Sequence, residues 1–406
     1  MDIETICKAV NFYDTPLYLF DEIEFITNYA ELEKAYKNIY PNFQIAYSFK
    51  TNYTPAICRR VHMLGGYAEV VSEFEYKIAI MCGFQPDSII VNGPGKWNGL
   101  EAMLKDGAIV MLDNSFELDR ALRFAETSGC TIKIGFRVNF ELKKDKISRF
   151  GFDTSSNELS SCIERARKCK KIKIIGLHFH QSGARSLQDW GKRIDTMILL
   201  SKQLLKDNEI KIIDLGSGMF GHVDQILAEQ FDQEIPSFQQ YAEIVAQKTK
   251  DSFGMLPEEE KPLIIVEPGT TIVANTMTYV TRVISTKTIR NSNIAIVDGS
   301  VQQLGEIGKK KKLPLKIIRT MSPEAKPKTY TVSGYTCLED DILYRDLKTN
   351  LYAGDVLCFG NAGAYTNVLK PPFIQVGCKI VMKTETGKLQ LIKRTETVED
   401  ILTSYL

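Results

Sequence analysis

Eight short apolar runs, each followed by a polar stretch, constrain this chain more than any other feature. They are IAYSF (45–49), YAEVV (67–71), SIIVN (88–92), AIVML (108–112), IKIGFRV (132–138), IIGLHF (174–179), IKIIDL (210–215) and LIIVE (263–267). Runs this apolar suit strands covered on both faces. The stretches between them, such as AELEKAYKNIY (30–40), EFEYKIAIMCG (73–83) and SFELDRALRFAETSG (115–129), read as helices. Strand and helix in alternation build a parallel sheet. Eight such units over roughly 250 residues match a closed (β/α)8 barrel of the TIM type. A doubly wound open sheet is the competing arrangement.

The alternation stops near residue 275. Strand-like runs then follow one another without long helices: MTYVTRVIST, NIAIVDG, TYTVSGYTC, DVLCFGN, QVGCKIVMKT and KLQLIKR. The expected fold class is therefore α/β, a TIM-like barrel followed by an all-β C-terminal domain. Residues 30–278 are assigned to the barrel and 279–406 to the β domain. The segment 1–29 carries the strand-like TPLYLFD (15–21), which reads as an addition to the β domain. GKKKKLP (308–314) reads as a basic loop, and a run of lysines is usually a solvated surface.

Composition narrows the partners. The 406 residues suffice for one large domain and a smaller one, and the net charge of +1 indicates neither nucleic acid nor an acidic membrane surface. No apolar run approaches 18 residues, and the N-terminus lacks a signal-peptide pattern. The nine cysteines include no C-x-x-C pair, which predicts no metal site and a reducing, cytoplasmic setting.

The ends of the eight runs carry the chemistry expected at the C-terminal face of a barrel. They present Lys50 and Asn52, Ser72, Lys96, Asp113-Asn114, Arg137 and Asn139, His180, Gly216-Ser217-Gly218, and Glu267-Pro268-Gly269. Each has an ordinary structural reading: a snorkelling lysine, a satisfied core histidine, a tight βα turn. Together they describe a different set. A strand-end lysine beside apolar walls can serve as a nucleophilic amine. The glycine-rich DLGSGMFG offers bare N–H groups to a phosphate. Glu267 can pair with a ring nitrogen, and His180 can lie on an aromatic ring. That combination is a site for pyridoxal 5′-phosphate.

The order of motifs resembles the barrel-type pyridoxal-dependent decarboxylases, the family of diaminopimelate and eukaryotic ornithine decarboxylases. YSFKTN is similar to the family's Y-A-[VF]-K-A-N, and GGYAEVVSEFE to G-x-G-x-D-V-x-S-x-x-E. FRVN and SRFGF resemble R-x-N and S-K-F-G. GLHFHQSG, DLGSGMFG and VEPGTTIVANT resemble the histidine, phosphate-loop and E-P-G-R segments. In the β domain, SGYTCLEDDIL, GDVLCFGNAGAYT and KRTETVEDIL resemble G-P-x-C-x-x-x-D, the G-A-Y segment and the tail of the diaminopimelate branch.

The resemblance implies roles. Lys50 would hold the cofactor covalently, His180 would stack on its ring and Glu267 would face the pyridine nitrogen. Arg137, Ser182, Gly216, Ser217, Gly218, Gly269, Thr270 and Tyr365 would complete the cofactor site. Cys337 would enter from the partner of a head-to-tail homodimer and return a proton to Cα. Leu338, Glu339, Asp340 and Asp341 would face the substrate side chain.

Departures from the family pattern bear on the substrate. Thr270 stands where the family carries a phosphate-binding arginine. Leu338 replaces the acidic residue that meets a distal ammonium. The R-P-x-L-Y segment, with its diaminopimelate-binding arginine, is missing, and HQSGA is one residue shorter than its counterpart. The expected activity is α-decarboxylation of an unusual small amino acid, acidic, conjugated or carrier-linked. Diaminopimelate, ornithine or lysine decarboxylation, amino-acid racemisation and a non-catalytic regulatory role are the alternatives. Glu267 and Cys337 oppose the racemase, which pairs an arginine with the ring nitrogen.

Overall fold

The computed structural model describes residues 1–143, 148–322, 326–369 and 372–405. The chain forms two compact units. One comprises Ala30–Gly221 and Glu234–Thr271; the other comprises Met1–Tyr29, His222–Gln233 and Ile272–Leu406. The barrel unit is thus shorter than the assigned 30–278 and omits a twelve-residue excursion, 222–233, that belongs to the β unit.

All eight apolar runs are strands: Phe43–Ser48, Tyr67–Ser72, Ile89–Gly95, Ile109–Leu112, Ile132–Asn139, Ile172–His178, Ile212–Asp214 and Leu263–Val266. Every neighbouring pair is parallel. The last strand pairs with the first, Ile264 opposite Phe43, so the sheet closes and leaves no edge. The open sheet is excluded by that pairing. Ala46, Ile90, Ile109, Met111, Ile212 and Ile265 pack as one buried cluster drawn from five strands. Each large aliphatic side chain buried this way contributes about 1.5–3 kcal/mol.

Polar residues at the strand ends start the helices. Ser72 accepts the Glu75 N–H at 3.2 Å and caps the helix Glu73–Met81, and Asn114 accepts the Glu117 N–H at 3.0 Å and caps Ser115–Ser128. The helix expected over 30–40 is the second half of a longer one, Glu22–Lys37.

In the β unit, the N-terminal strand Leu17–Asp21 lies between Met277–Ile289 and Lys379–Lys383, antiparallel to the first and parallel to the second. The helix Ile3–Tyr13 covers this sheet, with Ile6 and Ala9 packed on Leu17, Leu19, Val280 and Val381. Two strands were not legible as such, Leu315–Ile318 and Ile342–Thr349. Both alternate with lysine, arginine or aspartate and are half-exposed. The basic stretch is not a loop throughout: Gly305–Lys310 is helical. Among the described residues no helix is long and apolar enough to cross a membrane.

Candidate active site

Lys50 sits in a single 3-10 turn, Phe49–Thr51, directly after the first barrel strand. Asn52 fixes that turn by accepting the Thr54 N–H at 3.1 Å and hydroxyl at 2.7 Å, while Tyr47 donates to the Asn52 carbonyl at 3.0 Å. The Lys50 ammonium meets both oxygens of Glu69, at 2.5 and 2.7 Å. Glu69 comes from the next strand and is fully buried, whereas the Lys50 side chain is 30% exposed. The amine therefore rests on a buried carboxylate at the strand end, on a side chain that is only partly covered.

Glu267 follows the last strand and is buried. The Asn92 amide, from the third strand, donates to its Oε1 at 2.6 Å, and His178 Nε2 lies 3.4 Å from the same oxygen. Asp214 ends the seventh strand and accepts the Gly216 N–H at 2.9 Å through Oδ1, while its buried Oδ2 has no partner among the described residues. Donor atoms of His178, Asp214 and Glu267 lie within 4.8 Å of one another, a spacing that a cation could also bridge. Burial pushes both acids upward, Asp214 well above the usual carboxylate range, while Lys50 opposes the rise at Glu267. The proton of this pair belongs on Asp214, and the charge on Glu267.

The glycine loop packs under His180. Gly216 has φ +59°, and a Cβ there would lie 2.7 Å from the His180 Cβ and from the Phe179 carbonyl. Ser217 N–H donates to His180 Nδ1 at 3.2 Å, which leaves the ring's proton on Nε2. Burial and the Lys50 charge hold His180 well below the usual imidazole range, so the half-buried ring is neutral. Gly269 is also required, since a Cβ there would stand 2.0 Å from Thr51 Oγ1.

Of the other expected residues, Arg137 is buried and donates to the His180 carbonyl at 3.2 Å, with Phe150 against its guanidinium. Ser182 is exposed and Thr270 partly exposed. Lys96 is fully buried, bonded to the Gly93 carbonyl at 2.6 Å and paired with Glu117 at 2.8 Å, so it builds the wall. Tyr365, Cys337 and Leu338–Asp341 belong to the β unit. Cys337, Leu338, Glu339 and Asp340 are exposed. Asp341 departs from expectation. It is buried and accepts from Ser300 Oγ at 3.0 Å, Val301 N–H at 2.7 Å and Thr336 N–H at 3.0 Å. A carboxylate so occupied shapes its own loop rather than meeting a substrate.

Sequence reasoning missed Glu69, Asn92, His178 and Asp214. Glu69, His178 and Asp214 lie inside motifs quoted above, and Asn92 closes the third run.

The profile of the family "Pyridoxal-dependent decarboxylase, pyridoxal binding domain" matches residues 27–274. The chain belongs to the pyridoxal-dependent decarboxylases. Its cofactor is pyridoxal 5′-phosphate. Relatives include the diaminopimelate decarboxylase of Methanothermobacter thermautotrophicus, 25% identical over 96% of this chain and 91% of that one. Another is the L-glutamyl-[BtrI acyl-carrier protein] decarboxylase of Niallia circulans, 25% identical over 100% of this chain and 97% of that one. The fold is that of diaminopimelate decarboxylase from M. jannaschii, solved with L-lysine: TM-score 0.83, 22% identity, 99% and 94% of the two chains covered.

Proposed function

We propose that this decarboxylase acts on an amino acid whose distal end carries no free ammonium, one that is conjugated or carrier-linked. The observation that carries the reading is the loop after Cys337. Leu338 is 42% exposed there, and the buried carboxylate of that loop, Asp341, is consumed by three donors of its own unit. A distal ammonium buried without a partner costs several kcal/mol. The relative from Niallia circulans, whose name specifies a carrier-linked glutamyl group, supports the same direction.

The lysine run does not supply the recognition. Lys309 and Lys310 pair with Glu306 at 3.1 and 3.6 Å. Lys311 donates to the Gln230 carbonyl, and Lys312 lies over the Tyr344 ring.

The residues of the barrel mouth fit the cofactor. A buried carboxylate with one side-chain amide on it suits a cationic ring nitrogen, and the neutral His180 offers a flat face. Lys50 is the attachment point. When bound, pyridoxal phosphate supplies an electron sink for the pair left as CO2 departs. Glu267, oriented by the Asn92 amide at 2.6 Å, would face the ring nitrogen and favour its protonated form. Cys337 of a second copy in a head-to-tail homodimer would serve as the proton donor to Cα. Mixing inactive Lys50→Ala and Cys337→Ala subunits then recovers up to about a quarter of the activity, since half the dimers are mixed and each holds one intact site. No recovery despite subunit exchange would place the cysteine in its own subunit's site.

The substrate test measures CO2 from an aminoacyl thioester on a carrier protein against free meso-diaminopimelate, lysine and ornithine. A site lacking the polar partner rejects the free diamines by orders of magnitude. The second reading is diaminopimelate decarboxylation, favoured by the names of several relatives. A kcat/KM for meso-diaminopimelate at or above roughly 10⁴ M⁻¹s⁻¹ would establish it instead.

A further inference from the structure

We propose that Arg193 is a positioning residue for the cofactor phosphate, aiming the glycine loop and supplying from behind it the positive charge that Thr270 does not. The inference rests on the reading of residues 216–218 as the phosphate cradle. Arg193 lies on the helix Leu187–Leu204 and is fully buried. Its Nη1 donates to the carbonyls of Leu215 at 2.9 Å and Ser217 at 3.0 Å, and its Nη2 to that of Ala184 at 3.2 Å. The guanidinium lies 4.2 Å from the Trp190 ring centre and 5.5 Å from that of Phe179.

Two features separate this arrangement from a simple staple. The first is geometry. In a planar trans peptide the C=O and the following N–H point in opposite directions. Locking the Ser217 carbonyl onto Arg193 turns the Gly218 N–H to the other side of the loop. Gly218 accommodates this with φ +113°, a conformation that residues with a Cβ rarely adopt. The second is charge. No carboxylate among the described residues stands within 4.0 Å of Arg193; Asp189 is paired with Lys143 at 3.4 Å and accepts the Ser186 N–H at 3.2 Å. Burial brings the Arg193 pKa down to about 10, so the group is still charged at neutral pH. A neutral amide could hold loop carbonyls without the desolvation cost of a buried cation. A charge kept there with no carboxylate bonded directly to it matches an anion on the far side of the loop.

The experiment titrates apoprotein with pyridoxal 5′-phosphate and with pyridoxal, and follows inorganic phosphate as a competitor. Arg193→Met is expected to weaken the phosphorylated ligand at least about tenfold and pyridoxal by less than about threefold. Adding Thr270→Arg to that variant is expected to restore the preference. Should Arg193→Met fail to fold, Arg193→Lys, which keeps the charge and loses the fork, is expected to show a smaller loss with the same selectivity. Parallel weakening of both ligands, or no change in either, overturns the proposal. A wild-type protein that binds pyridoxal as well as its phosphate overturns the cradle reading beneath it.

Discussion

The carboxylates of the β-unit loops and the Asp214–Glu267 pair of the barrel mouth are satisfied in opposite ways. In the β unit, Asp298 accepts from the hydroxyls of Thr15 and Thr281 and the Arg282 N–H. Asp355 accepts from Thr320 N–H and hydroxyl and from Tyr352 N–H. Asp341 has its three donors. In the barrel mouth, Glu267 has one side-chain amide within 3 Å, and Asp214 has an oxygen with no partner among the described residues. Saturated carboxylates are turn-builders, complete in the protein alone. Under-satisfied ones hold unused electrostatic capacity, which is what a site built for a charged ligand requires.

The contrast breaks first at Lys50. Lys50→Ala is expected to lower turnover at least about a thousandfold, some 4 kcal/mol of barrier, and to abolish borohydride fixation of the cofactor to the chain. A reducible adduct surviving in that variant would move the attachment point. Next comes Glu267. Glu267→Gln is expected to keep the cofactor bound and lose at least about a hundredfold in kcat, the scale of one removed electrostatic contact. An unchanged kcat would take the carboxylate out of the reaction.

Stability sharpens the same comparison. Glu75 is buried and accepts the Val71 N–H at 2.9 Å. Burial pushes its pKa to about 7. Between the unfolded value near 4.5 and about 7, the folded state holds a proton that the unfolded chain has released. Apoprotein stability is therefore expected to fall as pH rises through that window, by about 3 kcal/mol at 1.36 kcal/mol per pKa unit. In Glu75→Gln the decline disappears, so melting curves of the two proteins diverge from pH 5 to 7 and run parallel above. Parallel curves throughout would show that Glu75 titrates normally.

The smallest effects compare one acid from each unit. Asp341→Asn replaces an acceptor oxygen with a donor against N–H groups and is expected to destabilise by about 2 kcal/mol. Asp214→Asn mimics a protonated acid and is expected to change stability by less than about 1 kcal/mol, within the scatter of well-tolerated substitutions. Equal losses in urea unfolding of the two apoproteins would erase the distinction between the units.

Much of the site was legible because it is local. A strand end followed by a βα turn fixes where Lys50, His180, Gly216 and Glu267 point, and a few adjacent residues set that geometry. Glu69 and Asp214 were visible within their motifs, but nothing local says that Glu69 reaches the Lys50 ammonium or that Asp214 comes to lie beside Glu267. Asp341 was misjudged for the same reason. Its donors Ser300 and Val301 lie some forty residues away, and only the folded β unit brings them to it.

What the sequence determined alone was the alternation. Eight apolar runs with helices between them leave a parallel sheet, since hydrophobic period and turn chemistry act over a few residues, whereas its closure rests on the pairing of Ile264 with Phe43. The tertiary structure decided which charges are satisfied. Arg193 shows this most plainly: in sequence it is one cation in an amphipathic helix, and in the fold it is a buried guanidinium on three carbonyls. Burial and the donors around a group depend on residues far apart in the chain, and those two quantities set the energy of every charge in the site.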